Sequence, residues 1–216
     1  MKTKIFLIII IVVSAITTFF IQSCKKNMSN SINHSVFKDN RDGKLYNTII
    51  IGSQTWFAQN LNYKTSNSWW YNNDSANGDV YGRLYTWEAA LTACPNGWHL
   101  PSDDEWKVLE IELGLSEYEA DKEDDRGTDE GAKMKSTKGW NKNGNGLNSI
   151  GFNALPGGIR RSKGTYNGLS IWGFWWSATE CNRTYSWSRH LYDEYEQVFR
   201  FDSNKAVGLS VRCVKD

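Results

Sequence analysis

Apolar and polar positions follow three different patterns along these 216 residues. Residues 5–21 are an almost unbroken apolar run, and residues 25–37 are polar and rich in Asn and Ser. From residue 38 onward the pattern becomes that of a folded domain. Leu45–Ile51 is rich in β-branched residues, Gly52-Ser53 turns the chain, and Thr55-Trp56-Phe57 returns, which predicts a hairpin. Residues 69–78, with Asn72, Asn73, Asp74, Ser75 and Asn77, have loop composition. Over residues 86–94, Trp87, Ala90, Leu91 and Cys94 recur at helical spacing until Pro95-Asn96-Gly97 ends the segment. Ser102 and Glu105 have capping-box spacing, and Trp106, Leu109 and Leu113 form an apolar face that Gly114 stops. The acidic residues 117–130 predict a solvated loop or frayed helix, and the Gly/Asn-rich residues 139–148 a loop. Strands are expected over residues 171–178, 185–192, 197–201 and 209–214, with a turn at 202–205. Helices first and strands last predict an α+β fold, in one domain spanning 38–216.

Composition removes some functions. The chain has 25 Lys+Arg against 24 Asp+Glu; losing Lys2 and Lys4 with a leader leaves 23 cations against 24 anions. No basic excess remains to displace phosphate counterions, so nucleic acid is not an expected partner. Aromatics at 14% and charged residues at 23% exclude compositional disorder after the leader.

Lys2 and Lys4 followed by the apolar run and Ile21-Gln22-Ser23-Cys24 read as a lipoprotein signal over residues 1–24. The run approaches the ~20 residues that span a bilayer, but a cysteine at its edge is what lipid attachment requires. Cys24 would carry the lipid and bind the membrane, and residues 25–37 would be a flexible tether. Lys25 and Lys26, with no Asp in second place, favour the outer membrane.

Cys94, Cys181 and Cys213 then remain in an oxidising compartment, where three thiols leave one over. A Cys94–Cys213 bridge would close a loop of more than 100 residues. In the chain-entropy view such a loop is worth roughly 4–5 kcal/mol. Cys181, in the polar stretch Thr179-Glu180-Cys181-Asn182-Arg183, reads as the solvent-facing remainder.

Five ordered motifs carry a family resemblance. They are Tyr81-Gly82-Arg83-Leu84-Tyr85-Thr86-Trp87-Glu88-Ala89-Ala90, Cys94-Pro95-Asn96-Gly97-Trp98-His99-Leu100-Pro101-Ser102, Gly151-Phe152-Asn153-Ala154-Leu155-Pro156-Gly157-Gly158, Trp175-Trp176-Ser177-Ala178-Thr179-Glu180 and Ser210-Val211-Arg212-Cys213-Val214-Lys215. Together they resemble the Fibrobacter succinogenes major paralogous domain, found in secreted and lipid-anchored proteins, notably of Bacteroidetes. The resemblance implies a C-type-lectin-like fold: two helices, a twisted antiparallel sheet and long loops. It also implies pairing of the first-helix cysteine with the last-strand cysteine, Cys94 with Cys213. An extra cysteine pair common around the Asn-rich loop is replaced here by the neighbourhood of Trp70 and Gly78. The family brings no settled biochemical activity.

Chemical sites are thin. Counting an EF-hand from Asp121 places Arg126 sixth and Ala132 twelfth, where Gly and Glu are needed. Lectin calcium motifs of the Glu-Pro-Asn and Trp-Asn-Asp kind are absent from the sequence, so no cofactor is expected; calcium is an unsupported alternative, for which Asn141, Asn143, Asn145 and Asn148 could supply carbonyl oxygens. His34 falls in the tether, His99 reads as a helix-start or core histidine, and His190 in its strand lacks the converging ligands zinc needs. No Gly-x-Ser-x-Gly elbow is present, so no catalytic residue is expected. The aromatic excess, 11 Trp and 10 Tyr, remains. Trp87, Trp98, Trp106, Trp175 and Trp176 are expected in the core. The loop aromatics Trp69, Trp70, Tyr71, Trp140, Tyr166 and Trp172, with Asn73, Asp74, Asn141 and Asn145, are the candidate binding residues, since such rings stack on sugars and fill protein interfaces. The expectation is a non-catalytic envelope lipoprotein that binds a glycan or protein. A structural envelope component is the alternative, and a modifying enzyme using Cys181 the third.

Overall fold

A computed structural model describes residues 34–216; the leader, Cys24 and residues 25–33 of the expected tether lie outside the described residues. His34–Phe37, expected in the tether, instead form most of strand β1 (His34–Lys38), antiparallel to β2 (Leu45–Ile51). Phe37 explains the pairing: its ring lies 5.7 Å from Phe57 and 5.3 Å from Trp98, so the strand is tied to the core by an aromatic contact. The expected hairpin is present, with β3 at Gln54–Phe57.

The molecule is mixed α and β, mostly antiparallel, with few short helices. One sheet runs β1-β2-β3-β14-β6, with β6 at Trp98–His99 and β14 at Val214–Lys215. The larger sheet runs β4 (Ser68–Trp69), β5 (Leu84–Tyr85), β13 (Leu209–Ser210), β10 (Trp172–Glu180), β11 (Tyr185–Tyr192), β12 (Val198–Asn204) and β7 (Asp124–Arg126). A hairpin of β8 (Gly157–Arg160) and β9 (Tyr166–Leu169) attaches to β10, and β10 meets both β13 and β8 in parallel.

Three local expectations need correction. Residues 69–78 are not plain loop: a 3-10 turn at Tyr71–Asn73 leads into α1 (Ser75–Tyr81), whose N-cap Asp74 accepts from the Ala76 amide. Asn and Asp suit caps and tight turns alike, which is why the composition read as loop. The helix over 86–94 is one turn, α2 (Trp87–Ala90), after which Ala93 bonds back to Ala90 and the chain delivers Cys94 to Cys213. Residues 117–130 include α4 (Glu117–Ala120), β7 and the start of α5 (Glu130–Met134), because buried Arg126 draws that segment inward. Helix α3 (Asp103–Glu112) is as expected, with both halves of the Ser102–Glu105 capping box formed. The Cys94–Cys213 disulfide is formed.

Strand alternation sorts the aromatics. On β10, Phe174 and Trp176 enter a cluster with Phe57, Tyr85 and Trp87, while Trp175 points the other way to Trp56, Trp106 and Phe152. Buried indole N–H groups find acceptors: Trp87 on Ser177 O, Trp106 on Trp176 O, Trp176 on Tyr85 O and Trp175 on Asn60 Oδ1. Asn60 Oδ1 also accepts from Arg212 Nε at 2.8 Å. Arg212 is fully buried without a carboxylate; its terminal nitrogens donate to Phe57 O, Phe152 O and Asn153 O. Burial alone lowers its pKa to about 9, so it stays charged at neutral pH. That guanidinium binds the last strand to the Gly151–Gly158 motif through backbone carbonyls, which explains why an arginine rather than an apolar residue stands there.

Candidate functional site

Four connections converge at one end of the larger sheet. They are the β4 segment (Asn67, Trp69), the start of α2 (Thr86, Glu88), the β8–β9 hairpin (Arg160, Ser162), and the paired turns carrying Arg183, Thr184, Asn204, Lys205 and Ala206. Together they line an open cleft of about 640 Å³. Backbone bonds hold its walls: Thr86 N to Asn67 O, Trp87 N to Lys205 O, and Lys205 N to Thr184 O. Hydroxyl and amide side chains are five of the eleven lining residues, with Arg160, Arg183 and Lys205 as cations and Glu88 as the one acid.

Arg160 is the centre of this surface. Its backbone is fixed twice, by register with Tyr166 and by reciprocal bonds with Gly208. Its guanidinium lies over the Trp69 ring at 3.7 Å, a cation–π stack. Trp69 is held in turn by pairing with Leu84. In the hairpin turn, Gly164 has φ +93°, and a Cβ there would lie 3.3 Å from Arg160 Nη2, so the glycine serves both the turn and the guanidinium. Among the described residues no ion pair involves Arg160 or Arg183, and Arg160 Nε is buried without a hydrogen-bond partner. Lys205 differs: it bonds the Glu180 carboxylate, Asn182 O and Arg183 O and lies over the Trp87 ring.

The expected binding residues divide. Tyr71, Asn73 and Tyr166 come together outside the cleft, with the Tyr71 and Tyr166 rings 5.3 Å apart and the Tyr166 hydroxyl donating to Asn73 Oδ1 at 2.9 Å, whereas Trp69 alone of the candidates lines the cleft. Tyr71 is itself buried, and Asp74 is occupied as the α1 cap. Trp70 is half-buried between Arg83, 4.6 Å above its ring, and Gly78, where a Cβ would come within 2.3 Å of the indole. Its N–H donates to Asn62. Trp70 therefore packs the α1 loop at the place where the resemblance had suggested a missing cysteine pair.

Trp140 moves from candidate to core. It is 5% exposed, its indole donates to Ala154 O, and its ring joins the Trp56–Trp106 cluster. The Gly/Asn-rich loop folds over it because Asn145 Oδ1 accepts from the Trp140 amide. Asn145 is thus a loop brace, and Asn141 is exposed with its amide bonded to Ser170 O. Trp172 belongs to a different surface, stacked on Phe174 at 5.7 Å, beyond which Tyr192, Phe199 and Phe201 lie half-buried and Tyr195 exposed. The sequence reading missed Arg160 and Arg183; the aromatic excess drew attention to rings rather than to the cation seated on one.

Other titratable groups are committed to the fold. Asp103 and Glu110 of α3 hold Arg126, Arg189 and Arg200, all buried. Burial opposes ionisation of Asp103, yet bonds from Arg200 and Arg189 prevail and hold its carboxyl well below the usual range. His190 is buried against Phe174 and bonds the Ser188 hydroxyl; burial, then Arg189, pushes its pKa down to about 3. Burial raises the pKa of Cys181, the free thiol among the described residues, above the ordinary thiol value. Among the described residues no group of three or more His, Cys, Asp or Glu is placed to hold a metal ion, and no helix is long and apolar enough to cross a membrane.

Among known families, the sequence model described as Fibrobacter succinogenes major domain matches residues 49–215. No curated protein and no solved structure matches the chain.

Proposed function

The chain belongs to the Fibrobacter succinogenes major domain family, and from that premise we propose that it is a non-catalytic, lipid-anchored envelope protein whose C-type-lectin-like domain binds a saccharide. The observation that carries this reading is the cleft lined by Trp69, by hydroxyl and amide side chains, and by Arg160 over the Trp69 ring. A pocket of this size suits a small oligosaccharide, and convergent polar groups around one ring are what sugar recognition needs. The disulfide between the α2 connection and the end of the chain, with mostly antiparallel strands around it, supports the lectin-like architecture. The anchor rests on Cys24 beside the apolar run, and the outer membrane on the lysines that follow it.

The purified protein, run over a glycan array, should bind a defined saccharide class, and Trp69→Ala should remove that binding. Binding that survives Trp69→Ala would move the site elsewhere. In cells, labelled palmitate should mark the wild-type protein and not Cys24→Ser; equal labelling would remove the anchor. The half-exposed rings Tyr192, Tyr195, Phe199 and Phe201 favour a second reading, a protein-interaction component of the envelope. Recovery of one stoichiometric partner that Phe199→Ser releases, with no glycan bound, would establish it.

A further inference from the structure

We infer that the saccharide taken by this cleft is anionic, and that Arg160 grips its carboxylate or sulfate group; this rests on the saccharide reading above. A guanidinium buried or half-buried in a protein is ordinarily met by a carboxylate or by carbonyls. Arg41, Arg126, Arg189, Arg200 and Arg212 all are. Arg160 is not: stacked on Trp69, its planar fork of donors has no acceptor among the described residues, and its Nε is enclosed without one.

Stacking orients that fork. The ring covers one face of the guanidinium, so the N–H groups project around the edge, in the plane where a carboxylate or sulfate receives two parallel bonds. The backbone ladders to Tyr166 and Gly208 and the bare turn at Gly164 fix this pose before any ligand arrives. Preorganisation of this kind lowers the cost of binding. Arg183, also unpaired, lines the same cleft, while Lys205 is already neutralised by Glu180. Glu88 is the one acid facing the cleft, so the lining has a net positive balance. Ser162, Thr86, Thr184, Asn67 and Asn204 supply hydroxyls and amides for the uncharged rest of the sugar. A free inorganic anion would use only the arginines. An acidic sugar uses the whole lining, and that is why we commit to it.

The test uses the full chain on an array that prints uronic-acid and sulfated oligosaccharides beside their methyl-esterified and desulfated counterparts. Inorganic sulfate and phosphate serve as competitors. Acidic members should bind, and masking the charge should weaken binding by about ten- to a hundredfold, the worth of a hydrogen bond to a charged group. Arg160→Met should produce the same loss while lowering the thermal midpoint by no more than about 4 °C, and Arg160→Lys should restore only part of it. Equal binding of charged and masked sugars would overturn the anionic assignment and leave the saccharide reading standing. Inorganic sulfate or phosphate binding as tightly as any sugar would overturn the saccharide reading. Silence across the whole array would overturn both.

Discussion

Arginines in two regions of this protein are treated oppositely. Beneath α3, Glu110 holds Arg126 and Arg189 while Asp103 holds Arg189 and Arg200, all at 3.2 Å or less. Arg126 leaves only Nε without a partner. At the cleft, the Arg160 guanidinium is stacked on an indole with no hydrogen-bond acceptor among the described residues. A buried charge left alone is expensive, which is why the enclosed guanidiniums beneath α3 are met by carboxylates, whereas Arg160 is half-buried with its terminal nitrogens open to solvent. Partnered arginines here hold α3, β7, β11 and β12 together; Arg160, met by no carboxylate, is the one we propose to meet a ligand.

The network should break hardest. Glu110→Gln removes the carboxylate shared by Arg126 and Arg189, and should cost about 3–5 kcal/mol in denaturant unfolding, as breaking a buried pair does. Glu110→Leu combined with Arg126→Leu should recover part of that loss, because Arg189 keeps Asp103. A loss under about 1 kcal/mol for Glu110→Gln would show that water reaches this network, and the distinction from Arg160 would fall.

Strand β11 carries the same logic on its two faces. Arg189 on one side is met by two carboxylates, those of Asp103 and Glu110. His190 on the other side meets the Ser188 hydroxyl and aromatic rings, and its pKa falls from 6.5 to about 3. The folded value lies below the unfolded one, so between those values the unfolded chain binds the extra proton. Stability is therefore full above pH 6.5 and lost as pH falls toward 3. The expected loss is about 2 kcal/mol at pH 5. Unfolding curves at pH 7 and pH 5 should show it, and His190→Gln should reduce that pH dependence. An imidazole that titrates near pH 6 by NMR would refute the buried neutral form.

Much of this could be read from the chain, for identifiable reasons. The α3 cap, its apolar face, the β2–β3 hairpin and the long terminal strands depend on local spacing, which a sequence displays directly. The motif likeness carried the disulfide, and odd cysteine counting left Cys181 over. Tertiary rescue was not visible: β7 forms from an acidic stretch because Arg126 is pulled to Glu110, and β1 forms from an Asn/Ser-rich stretch because Phe37 reaches Phe57 and Trp98. Little of the site was legible. Of the candidate rings and amides only Trp69 lines the cleft, while Tyr166 packs beside Tyr71 and Trp140, the same by type, is core. Arg160 was one of many arginines, and what distinguishes it is tertiary: a stack on Trp69 with no carboxylate beside it.

Arg160→Met gives the next smaller effect. Because the side chain holds no partner, its removal should change unfolding free energy by no more than about 1 kcal/mol, the range of one cation–π contact. A thermal midpoint that drops as far as in Glu110→Gln would make Arg160 a fold residue after all.

His99 supplies the smallest effect and the intermediate case, a group that is partnered but not deeply buried. Its two ring nitrogens meet Asp216 and Glu105, each at 2.7 Å, with 41% of the side chain exposed. Burial works against the imidazolium, yet the bonds to Asp216 and Glu105 together raise its pKa above 6.5. Here the folded value is the higher one, so the stabilisation is complete below pH 6.5 and disappears as pH rises through the folded value. Its slope is opposite to that of His190. Solvent screening limits it to a few tenths of a kcal/mol, so differential scanning of wild type against His99→Gln should separate the two by about a degree below pH 6 and not at pH 9. If His99→Gln instead cost as much as Glu110→Gln, partnering alone would set an interaction's worth. If the difference is as small as expected, burial sets it, and the half-exposed Arg160 is free to bind without holding the fold together.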